Sequence, residues 1–152
     1  LPVGGAVMTA AVADWRPSDC DAQKIKKNGD APAPLSLTEN PDILATLAAA
    51  GKNRPALLIG FAAETENIEA HATAKLAKKK CDWIVANNVG AESGIVGGVM
   101  GGDTNAISLI CATERKPSVE NFDIMSKHEV ATLLSDRMAA HFAAAKSKGK
   151  TE

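Results

Sequence analysis

Aromatic residues, cysteines and long apolar runs are scarce in this chain, and each scarcity excludes a class of protein. The 152 residues include 2 Trp, 3 Phe and no Tyr, so small and aliphatic side chains must build the core. The 3 cysteines (Cys20, Cys81, Cys111) form no C-x-x-C motif, which excludes a disulfide scaffold and favours a reducing compartment, the cytoplasm. No apolar run approaches the roughly 20 residues that cross a bilayer, so we predict no membrane partner.

A dominant charge of one sign is also missing. Lys and Arg number 17 against 18 Asp and Glu, and the net charge of -1 argues against nucleic acid as a partner. At this length a compact domain buries about 70% of the surface of its unfolded chain, so it needs no structural metal. The chain opens on Leu1 without Met or a charged leader, and we expect it to be cut from a longer protein.

Short apolar runs alternate with helical patterns in the first half of the chain. Buried strands are predicted at 6–12, 56–61 and 82–86, with helices from Asn40 to about Ala50 and over about 66–80. Asn40 is the predicted N-cap and Pro41 the first helical residue. Strand and helix in alternation, with short connections, predict an α/β fold with a parallel sheet.

The second half contributes a strand at 105–111, which can pair with 119–124, and a final helix. That helix begins at the capping box Ser126-Lys127-His128-Glu129. We predict one domain over 1–145, a flexible active-site loop at 13–34, and a disordered tail at 146–152. The glycine-rich stretch 90–102 contains neither G-x-x-x-x-G-K-[ST] nor G-x-G-x-x-G, so it is interpreted as a loop and not as a phosphate cradle.

Ligands of open parallel sheets bind beyond the carboxyl ends of the strands. In this chain the predicted strand ends bring Asp14, Gly60-Phe61 and Asn87-Asn88 to a shared crevice. The carboxylate of Asp14 can hold ribose hydroxyls or a divalent ion, or it can simply solvate a turn. The sequence alone does not choose between these roles.

Basic residues near that crevice also have two interpretations. Lys75 and Lys79 share a helix stripe with Ile68 and Ala72, so they either reach over the crevice or snorkel at the border of the core. The run 24–27 (KIKK) either closes over an anionic ligand or stays a solvated basic segment. The helix start at 40–42 either receives an anion on its free N–H groups or is capped by Asn40.

Several motifs, taken in order, resemble one family, the phosphopantothenate-cysteine ligases, also called phosphopantothenoylcysteine synthetases. They are AAVADWRP (10–17), KIKK (24–27), NPDIL (40–44), GFAAET (60–65), Ala72 with Lys75 and Lys79, IVANNV (84–89), GGDTN (101–105) and SKHEVA (126–131). The resemblance covers nearly the whole chain. In bacteria such a domain is usually the carboxy-terminal half of a bifunctional protein whose other half is a flavin-dependent decarboxylase carrying FMN.

The resemblance implies a Rossmann-like three-layer α/β domain with a mostly parallel sheet that forms a homodimer and acts in coenzyme A biosynthesis. CTP, with Mg2+, would activate 4'-phosphopantothenate as an acyl-cytidylate, and the amine of cysteine would then displace CMP. The enzyme would thus be a CTP-dependent acid-amino-acid ligase.

The resemblance also implies a set of nucleotide contacts. These are Ala10, Asp14, Lys24, Pro41, Asp42, Ile43, Leu44, Phe61, Lys75 and Lys79. Lys24 is assigned the catalytic role in the closing loop, acting on the activated intermediate. Asp14 is assigned to ribose or metal, while Lys75 and Lys79 are assigned to phosphates or base, without a choice between them.

The chain departs from the family pattern in two ways. Trp15 stands where Tyr is more frequent and Met100 where an aromatic residue is common, and both changes are tolerable. The family's first part, with its glycine-rich strand-turn-helix, lies upstream of these residues. Ligase activity is therefore predicted for the parent protein and not for these 152 residues by themselves. The alternative function is a non-catalytic or NAD(P)-binding Rossmann-like module, against which the absence of a dinucleotide motif counts.

Overall fold

The computed structural model describes residues 3–10, 12–20, 22–23, 34–90 and 101–148. No helix in these ranges is both long and apolar enough to span a membrane. The elements, in chain order, are β1 Gly5–Met8, β2 Trp15–Pro17, β3 Leu37–Glu39, α1 Ile43–Ala48, a 3-10 turn at Gly51–Asn53, β4 Leu57–Glu64, α2 Ile68–Lys79, β5 Trp83–Asn88, β6 Thr104–Cys111, β7 Ser118–Ser126 and α3 Lys127–Lys148.

Five of these strands form the central sheet, in the order β1-β4-β5-β6-β7. β1, β4 and β5 are parallel, whereas β6 is antiparallel to both of its neighbours. β7 therefore runs in the same direction as β5, and β6 alone is reversed within this sheet. The prediction of a Rossmann-like α/β fold with a mostly parallel sheet is confirmed.

The sheet has a hydrophobic core on each face, which gives the three layers. On one face Leu58, Ile84 and Ile110 pack with Ala72 and Leu76 of α2, and α1 adds Leu44 and Leu47. On the other face residues of the same strands pack against Val130 and Leu134 of α3. Strands β4 and β5 are buried on both faces, as their continuous apolar runs predict.

An ion pair joins the amino ends of β4 and β5. Arg54 Nη2 lies 3.0 Å from Asp82 Oδ1, and Asp82 Oδ2 also accepts a hydrogen bond from the Leu58 backbone N–H at 2.6 Å. One carboxylate thus connects the residues that precede the two central strands. This contact fixes the position at which both strands start.

Most predicted elements are present, with shifted ends. β4 continues to Glu64 and β5 to Asn88, so both strands extend further toward the carboxyl edge than predicted. The predicted pairing of 105–111 with 119–124 is confirmed as the antiparallel pair β6–β7. The capping box is confirmed as well: the Ser126 hydroxyl accepts from the Glu129 N–H, and Glu129 accepts from the Ser126 N–H.

Two local predictions are wrong. The N-cap of α1 is Asp42 and not Asn40, because the Asp42 side chain accepts the Ala45 N–H. The stretch 13–34 is not loop throughout, since β2 forms inside it and pairs with β3 in a short antiparallel ribbon.

Three further predictions fall wholly or partly outside the described residues. Lys24 and most of its loop lie there, as do residues 91–100 of the glycine-rich stretch. Helix α3 continues to Lys148, so the described part of the 146–152 tail is helical. Residues 149–152 lie outside the described ranges.

Candidate functional site

A cleft of about 580 Å³ opens at the carboxyl ends of β1 and β4, between the β2–β3 ribbon, the start of α1 and the last turns of α2. It is bounded by apolar, acidic and basic side chains. The lining residues are Met8, Ala10, Val12, Ala13, Asp14, Trp15, Glu39, Asn40, Pro41, Asp42, Ile43, Leu44, Phe61, Lys75, Lys78, Lys79 and Ile84.

The ribbon holds Asp14 beside the start of α1. Arg16 donates to the Glu39 carbonyl at 3.0 Å and to Asn40 Oδ1 at 2.9 Å. Asn40 in turn donates from its side chain to the Ala13 carbonyl at 2.7 Å and from its backbone to the Asp14 carbonyl at 2.8 Å. Asn40 therefore connects the start of α1 to residues 13–16. Because its side chain is engaged there, Asp42 caps the helix instead.

Asp42 connects α1 to α2 across the cleft. Its Oδ1 accepts the Ala45 N–H at 3.0 Å, while its Oδ2 forms an ion pair with Lys79 Nζ. Burial alone would raise the pKa of Asp42, but the hydrogen bonds from Lys79 and the Ala45 N–H outweigh it and hold the pKa below its ordinary value. Asp42 is thus a carboxylate at neutral pH, and its partner Lys79 faces a fixed negative charge.

Lys75, one helical turn before Lys79 on α2, has its own carboxylate partner on β4. Its Nζ lies 2.7 Å from Glu64 Oε1, and the Nδ1 of His71 lies 3.4 Å from Glu64 Oε2. The Glu64 side chain is only 11% exposed, whereas that of Lys75 is 44% exposed. The acid is therefore held at the end of β4, and the ammonium group stays open to solvent at the cleft.

The floor of the cleft depends on a small residue in β4. A Cβ atom placed on Gly60 would lie 2.6 Å from Leu44 Cδ2 and 3.0 Å from Ile84 Cδ1. The absence of a side chain therefore lets α1 approach the sheet and seats Leu44 at the cleft wall. Phe61 follows at the next position, lines the cleft, and also packs against the core on the α3 face.

The structure brings together at this cleft every site residue proposed from the sequence except Lys24, which lies outside the described residues. Asn87 and Asn88 were expected in the same crevice, and that expectation is wrong, because neither of them lines the cleft. They lie on β5, one strand beyond the strand that carries Phe61.

Sequence reasoning missed two acidic partners. It placed the end of the second strand at Phe61, and so it did not foresee that Glu64 would sit at the strand end and pair with Lys75. It also placed Asp42 in the first turn and not at the N-cap, where the side chain reaches Lys79. In both cases the available signal was a carboxylate close to a predicted element end.

The cleft has the composition of an anion-binding site with an apolar wall. Lys75, Lys78 and Lys79 line it together with the hydrophobic residues Ile43, Leu44 and Phe61. The described residues contain no group of three or more His, Cys, Asp or Glu side chains that could hold a metal ion. Mg2+ in nucleotide sites needs only one or two carboxylates together with phosphate oxygens, and Asp14 at the cleft can supply one.

The fold and the cleft define a class of protein: an open α/β sheet with a ligand crevice at the carboxyl ends of its strands. A family model described as the DNA/pantothenate metabolism flavoprotein C-terminal domain matches residues 3–142. The chain belongs to this family, which confirms the resemblance inferred from its motifs.

Curated relatives are longer proteins. The coenzyme A biosynthesis bifunctional protein CoaBC of Vibrio vulnificus (strain YJ016) is 42% identical over 104 residues, which are 68% of this chain and 25% of that protein. The protein of the same name from Bacillus subtilis (strain 168) is 39% identical over 134 residues, 88% of this chain and 30% of that protein. The chain thus spans less than a third of either relative.

Solved structures show the same fold. The C-terminal domain of a coenzyme A biosynthesis bifunctional protein CoaBC superposes with a TM-score of 0.65 at 29% identity, covering 93% of this chain and 56% of that one. A DNA/pantothenate metabolism flavoprotein from Streptococcus pneumoniae gives a TM-score of 0.61 at 19% identity, covering 91% of this chain and 63% of that one. The second likeness shows the fold alone.

Proposed function

We propose that this chain is the nucleotide-binding part of a phosphopantothenate-cysteine ligase that acts in coenzyme A biosynthesis and uses CTP. Family membership and the names of the relatives support the pathway. The observation that carries the proposal is the convergence of Asp14, Phe61, Lys75 and Lys79 on one cleft at the carboxyl edge of the sheet. An NAD(P)-binding module is the weaker alternative, since the chain has no dinucleotide motif.

The reaction we propose has two balanced steps. A carboxylate oxygen of 4'-phosphopantothenate attacks the α-phosphorus of CTP. The bond between the α-phosphorus and the oxygen that bridges it to the β-phosphate breaks, and pyrophosphate leaves. The amine of cysteine then attacks the acyl carbon of the acyl-cytidylate. CMP leaves with the bonding electrons, the amine loses a proton, and an amide results.

Lys75 and Lys79 are proposed to bind the triphosphate. Each ammonium has three donors, and among the described residues each pairs with a single carboxylate. Both lysine side chains are partly exposed at the cleft, at 44% and 26%. Phosphate oxygens can therefore take up the remaining donors or replace the carboxylate.

The nucleoside end of CTP is assigned to the other lining residues. Asp14 would hold the ribose hydroxyls or Mg2+, and Phe61 with Ile43 and Leu44 would cover the base and sugar. Ala10 and Pro41 also line the cleft. Mg2+, when bound, supplies positive charge that compensates the triphosphate as pyrophosphate leaves.

Lys24 is proposed as the catalytic residue of the closing loop. Its ammonium group would stabilise negative charge that develops on the activated intermediate, as preorganised cations do in other transfer reactions. The residue lies outside the described ranges, so the proposal depends on the family motif KIKK at 24–27 alone.

Several properties of the parent protein are also proposals. They are a fused FMN-dependent decarboxylase, a homodimer, a cytoplasmic location, and the substrates 4'-phosphopantothenate and cysteine. The fusion is supported by the word bifunctional in the names of the relatives and by the word flavoprotein in the family description.

The experiment that tests the proposal is a calorimetric comparison of CTP, ATP and NADP, each with Mg2+, on the purified chain. Binding of CTP, with ATP and NADP at least tenfold weaker, is the expected result. Preferential binding of NADP would favour the dinucleotide module. Absence of binding by all three would remove the nucleotide site from this chain.

A further inference from the structure

Two buried carboxamide oxygens lie at the carboxyl edge of the sheet, away from the cleft lining. They are Oδ1 of Asn87, near the end of β5, and Oδ1 of Asn105, near the start of β6, and neither has a hydrogen-bond partner among the residues that the structure describes. Asn105 is 6% exposed, which makes it the most buried polar residue of the described chain. Buried polar atoms without partners are uncommon in folded proteins, and each needs an explanation.

Both carboxamides lie on the same face of the sheet. Asn87 pairs with Ile107, which belongs to the core on the α3 face. Asn105 pairs with Met125, which packs against that same core. Directly opposed residues of antiparallel strands share a face, and a diagonal pair such as Asn87 and Asn105 has Cα atoms about 7–8 Å apart. The two amides are therefore neighbours on the α3 side.

Phe61 stands between this amide pair and the cleft. It pairs with Val85, two residues before Asn87 on β5, and its side chain packs on the α3 face. Phe61 also lines the cleft. A molecule that extends from the cleft past Phe61 along the carboxyl edge of the sheet therefore arrives at Asn87 and Asn105.

The chemistry of the two locations is complementary. The cleft has lysine ammonium groups, which attract phosphates. The amide pair has neutral oxygen acceptors, which accept from N–H or O–H donors, and it carries no positive charge to attract a phosphate. We propose that Asn87 and Asn105 form a subsite that accepts hydrogen bonds from the non-nucleotide substrates of the ligase; this rests on the proposed function.

Two substrates of that reaction carry suitable donors. Cysteine has an ammonium group, and 4'-phosphopantothenate has hydroxyl and amide N–H groups. Neither carboxamide oxygen accepts a hydrogen bond from the other described residues, so each has its acceptor capacity available for such a donor.

The test is NMR spectroscopy of the 15N-labelled chain, with the side-chain amide signals of Asn87 and Asn105 assigned by their loss in Asn87→Ala and Asn105→Ala. Cysteine, 4'-phosphopantothenate and inorganic phosphate are titrated separately in the presence of CTP and Mg2+. We expect one or both of the two substrates to shift both signals and phosphate to leave them unmoved. Asn88 is the internal control, since its Oδ1 already accepts the Gly90 N–H at 3.0 Å.

Affinity provides the second readout. Asn87→Ala should weaken binding of the responding substrate about tenfold, the size of one hydrogen bond, and leave CTP affinity within twofold. Asn87→Asp, which keeps an acceptor, should retain the binding that alanine loses. Asn88→Ala is the matched control on the same strand and should leave substrate affinity within twofold.

Three results would overturn the subsite. They are unmoved signals with both substrates, which would indicate bound water only; a response to phosphate; or unchanged substrate affinity in Asn87→Ala. Intact CTP binding in any of these cases would leave the proposed ligase site standing. Loss of CTP binding from the unmodified chain would instead contradict the proposed function itself.

Discussion

The amino ends of β4 and β5 and the cleft have ion pairs of similar chemistry in different surroundings. At the amino ends, Asp82 accepts from Arg54 and from the Leu58 backbone N–H, so both of its oxygens have protein donors. At the cleft, Lys75 and Lys79 each pair with one carboxylate. The amino ends thus have a carboxylate with both oxygens engaged, whereas the cleft has cations with donors to spare.

This difference separates stability from binding. A group whose partners are all within the protein contributes to the free energy of unfolding, and its removal leaves a buried partner unsatisfied. The side chains of the two ion pairs are exposed to similar degrees, 26% and 31% for Arg54 and Asp82 against 26% and 37% for Lys79 and Asp42, so water and salt screen both. Asp82 in addition accepts from the backbone N–H of the fully buried Leu58. We therefore expect substitution of Asp82 to change folding and substitution of the cleft lysines to change nucleotide affinity.

The largest expected difference is in the reactivity of two cysteines. Cys81 precedes β5 at the amino end, where burial raises the pKa of its thiol to about 11. Cys20 is exposed and lies between β2 and β3 in the chain. Because the thiolate is the reactive form, iodoacetamide at neutral pH should modify Cys20 more than a hundredfold faster than Cys81.

Mass spectrometry of the native chain measures this ratio, and the same reaction in urea is the control. Unfolding should bring the two rates within a few-fold of each other. Equal rates in the native chain would show that the amino ends of the strands open readily and do not protect Cys81.

The second largest effect is expected at Asp82. Asp82→Ala removes the acceptor of the Leu58 N–H and leaves Arg54 without its carboxylate, so the free energy of unfolding should fall by about 2 kcal/mol. Urea unfolding measures the loss. CTP affinity should stay within twofold under conditions where the variant is folded, and a larger change would contradict the separation of the two ends.

The reverse pattern is expected at Lys79. Lys79→Ala should weaken CTP binding about tenfold, as loss of one charge-assisted contact does, and lower the free energy of unfolding by less than about 0.5 kcal/mol. Arg137→Ala is the matched control, because it breaks an exposed ion pair with Glu120, 2.6 Å long, on the α3 side. Unchanged CTP affinity in both Lys75→Ala and Lys79→Ala would remove these lysines from the site.

Much of the scaffold is predictable from the sequence. Continuous apolar runs identified β4 and β5 because strands buried on both faces have no polar alternation. Helical spacing identified α2 and α3, and the capping box at Ser126 located the start of α3. These signals are local, since each depends on residues a few positions apart in the chain.

The site was predictable only in part, because its details depend on contacts between distant residues. Asn40 stands in a sequence typical of an N-cap. Its side chain instead accepts from the Arg16 guanidinium and donates to the Ala13 carbonyl, both more than twenty positions earlier in the chain. Glu64 becomes the partner of Lys75 only when β4 extends past Phe61. The placement of Asn105 on the buried α3 face likewise depends on the register of β6 and β7, which the sequence does not state.

The smallest predicted effect is the sharpest test, because one substitution should lower stability and raise nucleotide affinity together. Asp42→Asn keeps an N-cap side chain for the Ala45 N–H and removes the charge that pairs with Lys79. At pH 7 the free energy of unfolding should fall by about 0.5 kcal/mol. CTP affinity should rise two- to threefold, because Lys79 no longer has a competing carboxylate.

The pH dependence of the free energy of unfolding separates the charge of Asp42 from its role as the N-cap of α1. Burial opposes ionisation of Asp42, but the hydrogen bonds from Lys79 and the Ala45 N–H hold its folded pKa below the ordinary value of 3.8. Its contribution is therefore present above that value and is lost as the pH falls through the folded pKa. Urea unfolding of the two proteins should differ at pH 7 and converge once the pH lies below the folded pKa of Asp42. A difference that persists at the lowest pH would show that Asp42 acts through its cap and not through its charge, and Lys79 would then be free for the nucleotide in either protein.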